Sequence, residues 1–157
     1  MRKCKKTINR TIPLNTPDGI FSYEYDANGN LKKLIDPDQK PTSFDYNLDN
    51  RLIKKTYADS KFVQYVYDKA GLLTKFTNSR NTEKNLSYDP NHNLLSIDYS
   101  DTTPDVVFTY DDYNRVDTRT DGMGVYNYDY NANNRLRFID GLWANDTVEF
   151  QYNELGI

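Results

Sequence analysis

Phe21-Ser22-Tyr23-Glu24-Tyr25-Asp26-Ala27-Asn28-Gly29-Asn30-Leu31 is the stretch on which the fold turns. Tyr23 and Tyr25 flank one polar residue, the period of two that marks a half-buried strand. Aromatic and β-branched residues favour that state. Asp26 follows, a residue preferred at the first position of a type I turn. Three places later stands Gly29, free to take a positive φ. Asp-x-x-Gly therefore spells a three-residue hairpin loop, a type I turn closed by a bulge. The chain then resumes in a return strand whose second residue, Leu31, falls opposite Tyr25.

The same unit recurs along the chain. Its tyrosines are Tyr25, Tyr46, Tyr67, Tyr88, Tyr110, Tyr130 and Tyr152, with gaps of 21, 21, 21, 22, 20 and 22 residues. A fixed period of this size marks a repeat architecture. The expected left-handed corners are Gly29, Asn50, Gly71, His92, Asn114, Asn134 and Gly156, all residue types that reach positive φ at low cost. The apolar residues opposite the tyrosines are Leu31, Leu52, Leu73, Leu94, Val116 and Leu136. Such cross-strand pairs contribute about 0.2–1 kcal/mol each. A further position three residues on is apolar at Leu34, Phe76, Ile97 and Ile139 but charged at Lys55 and Arg119. That spacing has the wrong parity for a flat strand, and a bulge would reconcile it.

Turn residues also separate each return strand from the next repeat, as in Asp36-Pro37-Asp38 and Asp121-Gly122. No helical period persists. The fold expected is all-β: a curved, antiparallel single sheet of tandem β-hairpin repeats of about 21 residues, part of a shell-like or solenoid-like array. Residues 1–17 form an N-terminal lead-in with a frayed, solvated basic start, and residues 18–157 the repeats, the last one truncated. Two strands per repeat give about 13 strands.

Composition narrows the function. The 157 residues carry a net charge of -3 with both signs interspersed, which disfavours nucleic-acid binding. No apolar run is long enough to span a membrane, and the basic start lacks the apolar stretch of a signal peptide. The single cysteine, Cys4, cannot form an internal disulfide. His92, the one histidine, has no partners specified by spacing and reads as a corner residue. Asp26-Ala27-Asn28-Gly29-Asn30 has the start of a calcium loop, but Pro37 falls where the closing acidic residue belongs, and turn chemistry accounts for the segment. Adjacent carboxylates such as Asp111-Asp112 point to opposite faces of a strand end and make poor catalytic partners. No catalytic residue, metal ligand or cofactor is expected, and the chain reads as a non-enzyme.

Tyr25-Asp26-Ala27-Asn28-Gly29-Asn30-Leu31 resembles the repeat of the RHS/YD-repeat family. Tyr67 to Leu73 fits closely, and Tyr46 to Leu52 and Tyr130 to Leu136 end on the Arg-Leu pair common there. The resemblance covers roughly residues 18–157. It implies a long β-sheet wound into a hollow shell, which encloses a C-terminal toxin in bacterial toxin complexes and polymorphic toxins and serves adhesion in teneurins. It also implies a secreted or cell-surface location. This chain has few repeats, lacks the Asp-Pro segment that precedes the toxin, and has no toxin domain, so encapsulation and self-cleavage are not carried over. The function expected is a non-catalytic structural repeat segment, a curved β-wall that shields or presents a cargo, toxin or partner. Its partners would be the remainder of a longer repeat protein or copies of itself. The alternative is a carbohydrate- or cell-wall-binding aromatic module with a cell-surface glycan as partner, since exposed rings suit sugar faces.

Overall fold

The computed structural model describes residues 10–17, 19–143 and 146–153. Cys4, the basic start before Arg10 and the Gly156 corner lie outside the described residues. Everything described is strand or turn, with no helix. The chain divides into two compact units, with the boundary between Thr82 and Glu83.

The first unit holds β1 (Arg10–Thr16), β2 (Gly19–Tyr25), β3 (Leu31–Ile35), β4 (Pro41–Tyr46), β5 (Leu52–Thr56), β6 (Phe62–Tyr67) and β7 (Leu73–Thr77). Each strand pairs antiparallel with the next in sequence. The second unit repeats the plan with β8 (Glu83–Tyr88), β9 (Leu94–Tyr99), β10 (Val106–Tyr110), β11 (Val116–Asp121), β12 (Gly124–Tyr130), β13 (Leu136–Asp140) and β14 (Val148–Glu149). Its pairings are again antiparallel and sequential. That makes 14 strands among the described residues, one more than the tyrosine period announces. The extra strand is β1, formed by seven lead-in residues, with Ile12 opposite Tyr23 and Leu14 opposite Phe21.

Each hairpin carries the same bulge. Tyr25 pairs with Leu31 and Glu24 with Lys33, so Lys32 is the extra residue. The register shifts at the same place before Tyr46, Tyr67, Tyr88, Tyr110 and Tyr130. This settles the parity of the return strand. With one residue skipped, Leu31 and Leu34 face the same side as their partners Tyr25 and Tyr23. The pairs Tyr65–Phe76, Leu86–Ile97 and Tyr128–Ile139 follow the same rule. The two charged exceptions keep the register as well. Lys55 sits opposite Phe44 and Arg119 opposite Phe108. Lys55 Nζ lies 4.7 Å from the Tyr57 ring centre and 5.8 Å from that of Phe44, and the Arg119 guanidinium 5.1 Å from that of Tyr126. Their alkyl stems cover the ring side, and the Arg119 guanidinium pairs with the Asp121 carboxylate.

One side of the strands is thus lined with rings and aliphatics, and the other is mostly polar with exposed apolar residues such as Val66, Val107 and Val125 among its side chains. Within β10, Val106, Phe108 and Tyr110 are half-buried while Val107 and Thr109 are exposed. No side chain among the described residues reaches full burial. The rings shelter one another in a single layer, and no second layer packs on them within either unit.

Candidate functional site: the tyrosine seam

The repeat tyrosines end their strands: Tyr25 on β2, Tyr46 on β4, Tyr67 on β6, Tyr88 on β8, Tyr110 on β10 and Tyr130 on β12, with Tyr152 just past β14. After each of the first six comes the same corner. In the first, Asp26 N–H donates to Asn30 O at 2.9 Å and Gly29 N–H to Asp26 O at 3.1 Å. The corner φ values are 88° at Gly29, 60° at Asn50, 87° at Gly71, 69° at His92, 59° at Asn114 and 59° at Asn134. His92 occupies such a corner, its N–H donating to Asp89 O at 3.0 Å. The Asp26 carboxylate is turned into its own loop. Its Oδ1 accepts from the backbone N–H of Asn28 and Asn30 at 2.9 and 2.8 Å, and its Oδ2 from Asn30 Nδ2 at 3.0 Å.

Two features tie repeats to their neighbours within each unit, and neither follows from the hairpin alone. The first is a hydroxyl clamp. Tyr46 Oη donates to Leu31 O at 2.9 Å, and Tyr67 Oη to Leu52 O at 3.0 Å. In the second unit Tyr110 reaches Leu94 O at 2.8 Å, Tyr130 reaches Val116 O at 2.9 Å and Tyr152 reaches Leu136 O at 2.8 Å. Every acceptor is the carbonyl of the residue that packs against the preceding tyrosine. A signal for this clamp stands in the sequence. The clamp position is Tyr in all seven copies, whereas two residues earlier it is Tyr23, Phe44, Tyr65, Leu86, Phe108, Tyr128 and Phe150. The outer position needs only bulk, while the inner one needs an oxygen.

The second feature is a corner-to-corner link made by the residue that follows several of the left-handed corners. Asn30 Nδ2 donates to Asn50 Oδ1 at 2.8 Å, and Asn93 Nδ2 to Asn114 Oδ1 at 3.0 Å. Arg115 Nη1 donates to Asn134 Oδ1 at 2.8 Å. Arg51 meets Gly71 instead, where the guanidinium fills the space a Cβ would take. The arginines also lie over the next repeat's clamp tyrosine, with Cζ 5.9 Å from the Tyr67 centre for Arg51, 4.2 Å from Tyr130 for Arg115 and 5.4 Å from Tyr152 for Arg135. Such contacts are worth about 0.5–1 kcal/mol at exposed sites.

Electrostatics follow this packing. Burial pushes the Tyr46, Tyr110 and Tyr130 hydroxyls up, and the nearby Asp26, Asp89 and Asp111 carboxylates push each in the same direction. Asp26 is held below the ordinary carboxylate value, first by the Asn30 side chain. Desolvation raises Asp89 and Asp111, but hydrogen bonds from Asn93 and Arg115 and from the loop backbone outweigh it, so both end low.

The arrangement does mechanical work: it locks strand to strand and corner to corner. A groove of about 450 Å³ above the first seam is lined by Asp26, Asn28, Asn30, Phe44, Tyr46 and Asn50 among others, all engaged in turns or packing. Among the described residues no group of three His, Cys, Asp or Glu is placed to hold a metal ion. No helix of these residues is long and apolar enough to cross a membrane.

Comparison with known proteins bears on this geometry. Residues 46–84 match the RHS Repeat family model. No curated protein sequence matches the chain. Among solved structures, the crystal structure of TcdB2-TccC3-Cdc42 superposes with a TM-score of 0.66 at 19% identity, covering 79% of this chain and 7% of that one. TcdB2-TccC3 without its hypervariable C-terminal region gives the same values. The Photorhabdus luminescens Tc holotoxin pore gives a TM-score of 0.67 at 19% identity, covering 80% of this chain and 7% of that one. At this identity the likeness is one of fold, and the chain spans a small fraction of those proteins.

Proposed function

We propose that this RHS-repeat chain is a non-catalytic wall segment of a longer repeat protein, exported from the cell, which shields or presents a cargo, toxin or partner. One observation carries the reading: a single layer without a buried core, whose tyrosines are committed to holding neighbouring repeats together. A protein so built spends its side chains on continuity and leaves its ring-lined side to be covered by something else. The similarity to parts of Tc toxin structures supports membership of a larger assembly. The repeat tyrosines and left-handed corners are, on this reading, scaffold positions. The sugar-binding alternative has thinner support, because clamp hydroxyls are used on backbone carbonyls and arginines lie over three of the rings.

The test is accessibility. Val63 and Gln64 are neighbours on opposite sides of β6. Single cysteines at the two positions in the longer protein are labelled with a maleimide. A wall that encloses or docks something slows one site strongly relative to the other, and proteolytic opening restores it. Equal rates at both sites, before and after opening, reject the proposal. Hydrolysis of model ester, peptide or glycoside substrates by the purified chain would reject its non-catalytic part.

A further inference from the structure

Asn28-Gly29 is the one asparagine–glycine step in the sequence, and it falls in the first hairpin corner. Asparagine stands at the same place in two other corners, before a different residue: Asn91 precedes His92 and Asn133 precedes Asn134. The three corners share one geometry. The backbone N–H of Asn28, Asn91 and Asn133 donates to Oδ1 of Asp26, Asp89 and Asn131 at 2.9, 2.8 and 2.9 Å. The next N–H, of Gly29, His92 and Asn134, donates to the main-chain carbonyl of the same Asp26, Asp89 and Asn131 at 3.1, 3.0 and 2.9 Å. All three asparagines are exposed. The molecule thus sets the same side chain in the same loop three times and changes its successor.

The successor decides what the side-chain amide can do. The backbone nitrogen that follows an asparagine, once it has lost its proton to hydroxide, can attack the side-chain Cγ. A bond forms between that nitrogen and Cγ, the Cγ–Nδ2 bond breaks, and ammonia leaves a cyclic imide. Water then opens the ring. Opening at Cγ gives aspartate, and opening at the main-chain carbonyl gives isoaspartate, with the backbone now routed through Cγ. Nothing is oxidised or reduced, and water is the co-reactant. A side chain on the attacking residue crowds this closure, and glycine has none. At Gly29 nothing lies within 4 Å of the place a Cβ would take. His92 and Asn134 carry a Cβ there, and Asn134 is further held by Arg115 through its Oδ1.

The change would act on the seam. Asn28 Nδ2 donates to Asn50 Oδ1 at 3.1 Å, beside the parallel bond from Asn30. With the amide gone, an oxygen faces Asn50 Oδ1, and a second carboxylate stands in the loop that already holds that of Asp26. Isoaspartate also adds a backbone methylene to a loop whose length sets the hairpin register.

We infer that Asn28 is a self-modification site, where Gly29 N closes on Asn28 Cγ and water leaves aspartate and isoaspartate, so that the first corner of the seam loosens with age while the matching corner at Asn91 stays intact. The inference stands on the chemistry of this loop and survives or fails independently of the wall reading.

Peptide mapping by mass spectrometry of the purified chain, aged at mildly alkaline pH, tests it. Asn28 is expected to lose its amide at least about tenfold faster than Asn91 and Asn133. Isoaspartate at position 28 is the signature of the cyclic route, because direct hydrolysis of the amide yields aspartate alone. Gly29→Asn installs the residue type that Asn50, Asn114 and Asn134 show at positive φ, and should slow Asn28 to the rate of Asn133. The comparison of three asparagines within one wild-type chain does not depend on that variant folding. Hydrogen exchange of the aged protein should rise at Asn28 and Asn50 and stay unchanged at Asn91 and Asn114. An Asn28 that keeps its amide as long as Asn91 and Asn133 do, aspartate without isoaspartate, a folded Gly29→Asn variant that converts as fast as the wild type, or exchange that rises equally at both corners would each overturn the inference.

Discussion

The β1–β7 unit and the β8–β14 unit share one hairpin at the tyrosine end and part company at the opposite end. In the first unit all three return connections are the same loop. Asp36 N–H bonds Lys40 O, Tyr57 N–H bonds Lys61 O and Asn78 N–H bonds Thr82 O, at 3.2, 2.9 and 2.9 Å. The left-handed residues there are Gln39, Ser60 and Asn81, at φ 63°, 65° and 63°. In the second unit no two return connections agree. One is a longer loop through Thr103 and Pro104, closed by Tyr99 N–H on the Asp105 carboxylate. The next is a tight turn at Gly122-Met123, joining the Asp121–Gly124 pair. The last runs through Leu142 and Trp143 and is held by Asp146. The tyrosine-to-leucine distance never varies, so the return loops alone set the spacing. That is why gaps of 21, 21 and 21 residues give way to 22, 20 and 22. The seam tolerates this because its bonds run between tyrosine ends, where every copy is alike.

The sharpest way to break the second unit is at its tight turn. Gly124 has φ 131°, and a Cβ there would run into the Leu142 side chain of the neighbouring loop. Gly124→Val should cost about 1–3 kcal/mol in backbone strain before Leu142 is displaced. Hydrogen exchange should rise in β11 to β13 and stay unchanged in β2 to β6. Equal loosening of both units would show that the return loops are not independent of the rest.

A smaller effect is expected where the units agree. Tyr67→Phe and Tyr130→Phe each delete a hydroxyl clamp, to Leu52 O and Val116 O respectively. Each should destabilise by about 0.5–1.5 kcal/mol, and by similar amounts, because the geometry is shared. Denaturant titration of the two variants measures this. A neutral result in one unit only would mean that its carbonyl is satisfied by water at no loss.

The hairpin and its register were legible because turn chemistry is local: Asp at the start and Gly, Asn or His at the corner fix the loop, and the loop fixes the pairing of Tyr25 with Leu31. The return loops were legible as turns but not as types. Tyr57-Ala58-Asp59-Ser60 forms the same loop as Asn78-Ser79-Arg80-Asn81 although Tyr57 supplies no capping side chain and Ser60 is a poor left-handed residue. There the loop length imposed by the flanking strands overrides propensity. The corner-to-corner link depends on residues about 20 apart, such as Asn30 and Asn50, whose side chains meet only once the strands are paired. The β1 strand has no tyrosine of its own and escaped the period for that reason.

Titration separates the units in a different way. Of the tyrosines with raised pKa, Tyr46 lies in the first unit and Tyr110 and Tyr130 in the second. A raised folded pKa means that their stabilisation is intact below the unfolded tyrosine value, about 10, and is lost as pH rises through the folded value. The lowered carboxylates, Asp26 and Asp59 in the first unit and Asp89 and Asp111 in the second, act with the opposite sign. Their contribution is intact above the unfolded aspartate value, about 3.9, and is lost as pH falls through the folded value. Stability should therefore be flat between these limits, with both units loosening at the acid end and β8–β13 amides losing more protection than β2–β7 amides at the alkaline end. A first unit that loosens ahead of the second at high pH would contradict the assignment.

The smallest change should strengthen the protein. Ser60 holds φ 65° in the middle return loop of the first unit, where glycine would sit without strain. A left-handed non-glycine residue costs about 1–2 kcal/mol, and part of that gain is returned through the greater freedom of glycine in the unfolded chain. Ser60→Gly should thus stabilise by about 0.5–1 kcal/mol, seen as a small rise in melting temperature. Asn134→Gly reaches the same backbone angle in the second unit but deletes the acceptor of Arg115, so relief of strain and loss of the link oppose each other there. A clear gain at Ser60 beside none at Asn134 would show that the corners of the seam are chosen for their side chains and the return loops for their backbone alone.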